Sequence, residues 1–174
     1  MTSPSPTTTD MPRGTSTNRF AARYNNFDEN ADFYPTPPEA TEALFSREIF
    51  EGNVLEPACG DGAMSKVIEK YNPVESYDLV DRGYGDVCDF INGKFTFGEY
   101  DNCITNPPYK IAEKFLEKAL LVSRKKVAFL LRLTFLESAK RQKIFQTTPL
   151  KTVYVFSKRV QIYKNGIIGN SGMV

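Results

Sequence analysis

Asn106-Pro107-Pro108-Tyr109 is the stretch of this chain whose residue types and order do most to specify chemistry. Consecutive prolines stop strand and helix alike, because each ring locks φ and removes a backbone donor. The result is a stiff elbow that presents an amide side chain, a free backbone carbonyl and an aromatic ring from one loop. An exocyclic amine suits it. The Asn106 oxygen and the Pro107 carbonyl can accept its two N–H bonds, while Tyr109 stacks on the ring that bears it. A surface turn with one exposed aromatic is the plainer alternative. The strand read over residues 101–105 and a glycine turn upstream favour the first reading.

That upstream turn is Pro57-Ala58-Cys59-Gly60-Asp61-Gly62, directly after a short apolar strand over residues 53–56. Gly60 and Gly62 let backbone approach a ligand at the carboxyl edge of a sheet, where open α/β sheets bind theirs. Gly-x-Gly alone also suits a tight turn with no ligand. Two acidic residues sharpen it. Glu56 ends the strand and suits a cationic or hydroxylated ligand. Asp81, 19 residues beyond Gly62, is expected to close the next strand, read over 76–80, and to accept hydrogen bonds from ribose hydroxyls. No Gly-Lys-Ser/Thr follows the glycines, so a P-loop is excluded, and the ligand expected is a nucleoside whose charge is not phosphate.

Histidine is absent, which removes Ser-His-Asp and Cys-His catalysis, His-ligated metals and any imidazole base. Cys59, Cys88 and Cys103 are odd in number and at no metal-like spacing, so no metal is expected and a reducing cytoplasm is the expected compartment. Cys59 reads as a small buried residue rather than a nucleophile. No apolar run approaches the roughly 18 residues that span a bilayer, and no signal peptide opens the sequence, so no membrane association is expected.

The elements that must position these residues follow from the pattern. Residues 1–31 are rich in Ser, Thr, Pro and Asn and read as a disordered tail; residues 32–174 read as one domain. Helices are expected from Thr36-Pro37-Pro38-Glu39 through Ile49, over 63–71, over 111–122 and over 137–145. Strands are expected at 53–56, 76–80, Val87, 101–105, 126–131 and 152–156. Such alternation means an α/β fold with a mostly parallel sheet and helices on both faces. Net charge is +1, yet residues 1–109 carry 8 Lys+Arg against 18 Asp+Glu and residues 110–174 carry 14 against 3. A cationic surface for a polyanion is one reading of that division; basic residues on solvated helix faces are the other.

These motifs together resemble the class I S-adenosylmethionine-dependent methyltransferases, in particular the N6-adenine DNA methyltransferase family of phage and bacterial type, which carries an N-P-P-Y motif. The resemblance covers about residues 32–165. It implies a Rossmann-like sheet, S-adenosylmethionine as cofactor, and DNA as partner, with the target adenine flipped out of the duplex. It also implies roles. Tyr34 and Thr36, in Asp32-Phe33-Tyr34-Pro35-Thr36-Pro37, would cover the methionine end of the cofactor. Glu56, Ala58, Gly60 and Gly62 would form the cofactor loop, with Asp81 on the ribose. Asp89 would hydrogen-bond the cofactor's adenine and Phe90 stack on it. Asn106, Pro107, Pro108 and Tyr109 would be catalytic, with Tyr163 a second stacking platform. Arg132, Lys140, Arg141, Lys143, Lys158, Arg159 and Lys164 would face phosphates.

Two departures from the family stand out. There is no room for a sizeable target-recognition region, and only six strands are read. Residues 165–170 read as a hairpin loop and 171–174 as the start of a seventh strand, as though the chain stopped mid-element. RNA adenine or guanine, protein glutamine, and a non-catalytic nucleic-acid-binding relic of the fold remain alternatives.

Overall fold

The computed structural model describes residues 34–158 and Val160, with the side chain of Lys140 excepted. The expected tail, Arg159, Tyr163, Lys164, the hairpin loop and the seventh strand all lie outside the described residues.

Among the described residues, five strands form one sheet: β1 (Val54–Glu56), β2 (Val74–Asp78), β3 (Asp86–Val87), β4 (Tyr100–Thr105) and β5 (Ser123–Phe129). Their order is β3-β2-β1-β4-β5, and every neighbouring pair is parallel. Strand order therefore reverses between β1 and β4, where Val54 faces Asn102 and Leu55 faces Cys103.

Alternation along the two central strands divides the core between the faces of the sheet. Leu55 and Cys103 point to one face, where they meet Phe90, Tyr100, Phe115, Ala119 and Val122. Val54 and Ile104 point to the other, packing with Phe50, Met64 and Ile68. Both central strands are buried on both faces, and the polar residues Glu56, Asn102 and Thr105 are buried along with the apolar ones.

Four helices among the described residues accompany the strands: α1 (Pro38–Phe45), α2 (Ser65–Ile68), α3 (Ala112–Val122) and α4 (Ala139–Thr147). Pro38 stands at the first helical position of α1, where the missing N–H costs nothing. The helix closes at Ser46, whose hydroxyl donates to the Ala43 carbonyl, so Ile49 lies outside it and is 79% exposed. The helix expected over 63–71 is regular only in α2; Asn72 ends it by donating its side-chain amide to the Phe50 and Gly52 carbonyls. The basic helix begins two residues later than expected, at Ala139, because residues Leu133–Glu137 form a 3-10 turn.

Three strand readings are corrected, among them the fifth strand, which runs Ser123–Phe129 rather than 126–131. The second strand spans Val74–Asp78, not 76–80, so Asp81 does not close it. Residues 152–156 are extended but pair with no strand among the described residues. Val153, Tyr154, Val155 and Phe156 are exposed, and the Tyr154 hydroxyl donates to Glu48 at 2.8 Å. A continuous run of β-branched and aromatic residues gave that stretch strand character, and without a ladder partner it is not one.

Candidate functional site

The carboxyl ends of β1, β2 and β4 meet at the point where strand order reverses, the crevice in which open α/β sheets take their ligands. Glu56 closes β1 and is 1% exposed. Its carboxylate accepts a hydrogen bond from the Ser65 hydroxyl, which lies 2.7 Å from that of Ser76. Burial pushes the Glu56 carboxyl up to about 8; the Ser65 hydrogen bond opposes that rise and the Asp78 charge adds to it.

The turn beyond Glu56 is tied to β2 by backbone and side chain. Cys59 N–H donates to the Tyr77 carbonyl at 2.9 Å, and Gly60 N–H donates to Asp78 Oδ2 at 2.9 Å. Asp78 Oδ1 accepts from Val80 N–H at 3.0 Å, which bends the chain away at the end of β2. Asp78, which sequence reasoning passed over, is thus the carboxylate at the glycine turn. Asp81 lies beyond it, exposed, accepting from Gly83 N–H at 2.9 Å. Gly62 has φ 78°, and a Cβ there would stand 2.4 Å from the Tyr84 ring. Glycine at 62 therefore makes room for an aromatic side chain of the protein itself, over which Lys66 Nζ lies 5.1 Å from the centroid.

Burial and its acidic neighbours Glu56 and Asp78 push the Cys59 thiol up to about 12, in keeping with a buried, unreactive cysteine. Ala58 is half-buried and packs on the core cluster around Leu55.

Asp89 caps the turn after β3: its carboxylate accepts from Ile91 N–H at 3.0 Å, Asn92 N–H at 3.1 Å and the Asn92 amide at 2.8 Å. Phe90, expected to stack on the cofactor's adenine, lies in the core cluster around Leu55. It is 2% exposed, with the Phe95 and Phe115 rings each 5.2 Å away. An apolar ring beside α3 buries more surface inside the sheet than at its edge.

At the end of β4 the elbow takes the form its prolines dictate. Pro107 is buried, Pro108 exposed, and Tyr109 opens a 3-10 turn that leads into α3. Leu130 N–H donates to the Thr105 carbonyl at 3.0 Å, which holds the ends of β4 and β5 together. The Asn106 amide donates from Nδ2 to Thr36 Oγ1 at 3.0 Å, and Thr36 is 5% exposed in the segment before α1. Asn106 and Thr36, read separately in the sequence, are direct partners. Tyr34, two residues before Thr36, packs against the small cluster of Ala40 and Val160. The Arg132 guanidinium lies 5.0 Å from the Tyr109 ring centroid. Burial pushes the Tyr109 hydroxyl up to about 12, with Arg132 pulling the other way.

The basic residues divide by location. Arg141 is half-buried and committed within the fold: Nε donates to the Phe135 carbonyl at 2.6 Å, Nη2 to the Thr134 carbonyl at 3.1 Å, and Nη1 pairs with Glu113 at 3.0 Å. Its guanidinium also covers the Phe135 ring at 4.4 Å. It pins the loop after β5 rather than facing solvent. Lys143 and Lys158 are exposed, as is Arg132. Arg124 pairs with Asp101, Lys125 with Asp101 and Glu51, and Lys126 with Glu48, all at or near the opening end of β5. Part of the basic surplus of residues 110–174 is therefore neutralised away from the carboxyl edge of the sheet. Among the described residues no cluster of three or more His, Cys, Asp or Glu is placed to hold a metal, and no helix is long and apolar enough to cross a membrane.

No protein-family model and no curated protein matches the sequence. Solved structures do match. A candidate RNA methyltransferase from Pyrococcus horikoshii is 18% identical, with a TM-score of 0.51, over 62% of this chain and 65% of that one. A dimethyladenosine transferase from Plasmodium falciparum is 22% identical, with a TM-score of 0.44, over 59% and 43%. A candidate type II methyltransferase from Anaeromyxobacter dehalogenans is 18% identical, with a TM-score of 0.41, over 53% and 46%. The chain spans less than two thirds of the length of each of these proteins. At these identities the likeness speaks for architecture alone, and the first of them carries it. The parallel sheet with its order β3-β2-β1-β4-β5 and flanking helices is the Rossmann-like fold of class I methyltransferases.

Proposed function

We propose that this chain is an S-adenosylmethionine-dependent methyltransferase that acts on the N6 amine of adenine in DNA. The observation that carries the reading is the placement of Asn106-Pro107-Pro108-Tyr109 at the end of β4, across the strand-order reversal from the glycine turn that ends β1.

The residues at the crevice suit that cofactor. The Asp78 carboxylate, fixed on the Gly60 N–H, is an acceptor for ribose hydroxyls. The Thr105 hydroxyl is buried without a hydrogen-bond partner among the described residues at the end of β4, and Glu56 lies buried at the end of β1. When bound, the cofactor supplies an electrophilic methyl group on a sulfonium.

The chain's own residues then have to solve one problem. An aromatic amine is a poor nucleophile because its lone pair is delocalised into the ring. Asn106 Oδ1 and the Pro107 carbonyl would accept its two N–H bonds and so draw the lone pair out of conjugation with the ring; the N–CH3 bond would form as the donor's S–CH3 bond breaks to a neutral thioether, and the surplus proton, acidic on the methylated nitrogen, would pass to solvent. Tyr109 holds the base by stacking. Positioning and the exclusion of water do the rest, and no strong base is needed. Extruding the base costs on the order of a few kcal/mol, and stacking on an aromatic returns roughly 1–3 kcal/mol. Arg132, Lys143 and Lys158 are exposed cations suited to phosphate contacts, which set affinity and orientation rather than sequence choice.

The test is incubation with tritiated S-adenosylmethionine and separate pools of DNA, RNA and protein. Label is expected in DNA, released on digestion as N6-methyladenine. The Pyrococcus horikoshii structure of like fold is described as an RNA methyltransferase, and RNA adenine offers the same amine. Label confined to RNA or to protein glutamine would move the substrate accordingly. Cofactor binding with no label in any pool would make the chain a non-catalytic binder of nucleic acid.

A further inference from the structure

A primary amide is nearly symmetric in shape but not in chemistry: one end donates and the other accepts. Size alone does not decide which end of Asn106 meets a target amine. The side chain must be turned by a neighbour. Here Nδ2 faces Thr36 Oγ1 at 3.0 Å, which directs Oδ1 elsewhere. Thr36 is held firmly enough to act as a reference point. It is 5% exposed, Pro35 and Pro37 flank it, and the Pro37 carbonyl accepts from Ala40 N–H at 3.0 Å as α1 begins.

A hydroxyl, however, can accept from Nδ2 or, with the amide turned over, donate to Oδ1. The sense of the bond is fixed only when the hydroxyl hydrogen is committed elsewhere. We infer that Thr36 is a positioning residue that links cofactor occupancy to the orientation of Asn106: its hydrogen goes to an acceptor on bound S-adenosylmethionine, leaving its oxygen able only to accept. The amide is then held with Oδ1 toward the amine to be methylated. The inference rests on the function proposed above and adds a sense of order to it, since the acceptor for the substrate is set by the cofactor's presence.

Two measurements test it on the full chain, using Thr36→Val, which keeps the shape, and Thr36→Ser, which keeps the hydroxyl. In turnover, Thr36→Val is expected to lower kcat about 10- to 100-fold with little change in KM for DNA, the loss appropriate to one positioned hydrogen bond. Thr36→Ser is expected to restore most of that loss. Equal kcat in Thr36→Val and the unaltered protein overturns the inference, and so does an equal loss in both variants. The second measurement is hydrogen exchange of the Asn106 side-chain amide by NMR, assigned through Asn106→Ala. S-adenosylmethionine is expected to slow that exchange in the unaltered protein and in Thr36→Ser but not in Thr36→Val. Exchange that ignores the cofactor, or slows equally in Thr36→Val, overturns it. Because this readout needs no substrate, a chain that methylates nothing would sink the proposed function while still deciding the role of Thr36.

Discussion

Asp78 Oδ2 lies 2.9 Å from the backbone nitrogen of Gly60, so the last residue of β2 is latched to the turn that follows β1. The other oxygen of the same carboxylate holds Val80 N–H. One side chain thereby ends a strand, shapes the glycine turn and places a negative charge at the crevice, which is the combination a ribose-binding acid needs.

Replacing Asp78 with Ala is expected to weaken S-adenosylmethionine binding by about 1.5–3 kcal/mol, the range for hydrogen bonds to a charged group. Asp81→Ala should leave it unchanged, since that carboxylate is exposed and serves the Gly83 turn. Calorimetry on the two variants separates the positions. A larger loss in Asp81→Ala would return the ribose role to the residue first singled out in the sequence.

Asn106→Ala should abolish methyl transfer while shifting cofactor affinity by no more than about threefold, because the amide acts on the acceptor amine. Filter binding of labelled cofactor beside the DNA assay reads both quantities. Retained turnover would remove the N-P-P-Y elbow from the mechanism.

Glu56 makes stability depend on pH in a defined direction. Its carboxyl is raised from 4.5 to about 8 by burial, so the folded protein binds that proton more tightly than the unfolded chain does. This contribution is complete below the ordinary value, declines as pH rises across the interval up to about 8, and is level above it. Glu56→Gln, which keeps the acceptor for Ser65 without the charge, is expected to flatten that decline and to melt higher than the unaltered protein at alkaline pH. Thermal unfolding at several pH values checks it. Parallel profiles for the two proteins would show that Glu56 is not the group responsible.

Arg141 and Lys143 lie on the same helix and are expected to behave differently. Arg141→Ala removes three hydrogen bonds, one of them the ion pair to Glu113, so it should destabilise the fold by about 2–4 kcal/mol. The salt dependence of DNA binding should be unaltered in that variant. Reversing the charge of Lys143 and Arg132 together should do the opposite, flattening the dependence on salt with little effect on melting. Titration of a labelled duplex at increasing salt distinguishes them.

The parts of this molecule legible in its sequence are those where residue identity leaves the backbone little choice. Pro107 and Pro108 announce the elbow whatever surrounds it, and β4 is recognisable from Cys103-Ile104-Thr105 running into that abrupt stop. The end of β2 was not legible, because Leu79 and Val80 continue the apolar pattern past the residue where Asp78 bends the chain. A strand boundary set by a side-chain cap shows only as an Asp, and Asp81 offered the same sign. The internal contacts of Phe90 and Arg141 were not legible for a different reason. An aromatic or a guanidinium suits a ligand and a protein interior equally, and only the third dimension tells Phe115 or the Thr134 carbonyl from an adenine or a phosphate.

The all-parallel strand order also has a consequence for how the chain emerges from the ribosome. No two neighbours in β3-β2-β1-β4-β5 can be joined by a hairpin, because each must be reached by a crossover. The β1, β2 and β3 half can assemble once Val87 is free of the exit tunnel, leaving β1 with a naked edge until β4 arrives. β4 carries Cys103 for one layer of the core and Ile104 for the other, so neither layer can close without it. During that interval the nascent domain exposes an apolar strand edge to its neighbours. Pausing translation when Val87 has left the tunnel and Asp101 has not should therefore yield aggregated product, whereas a pause after the β5 residues have emerged should not.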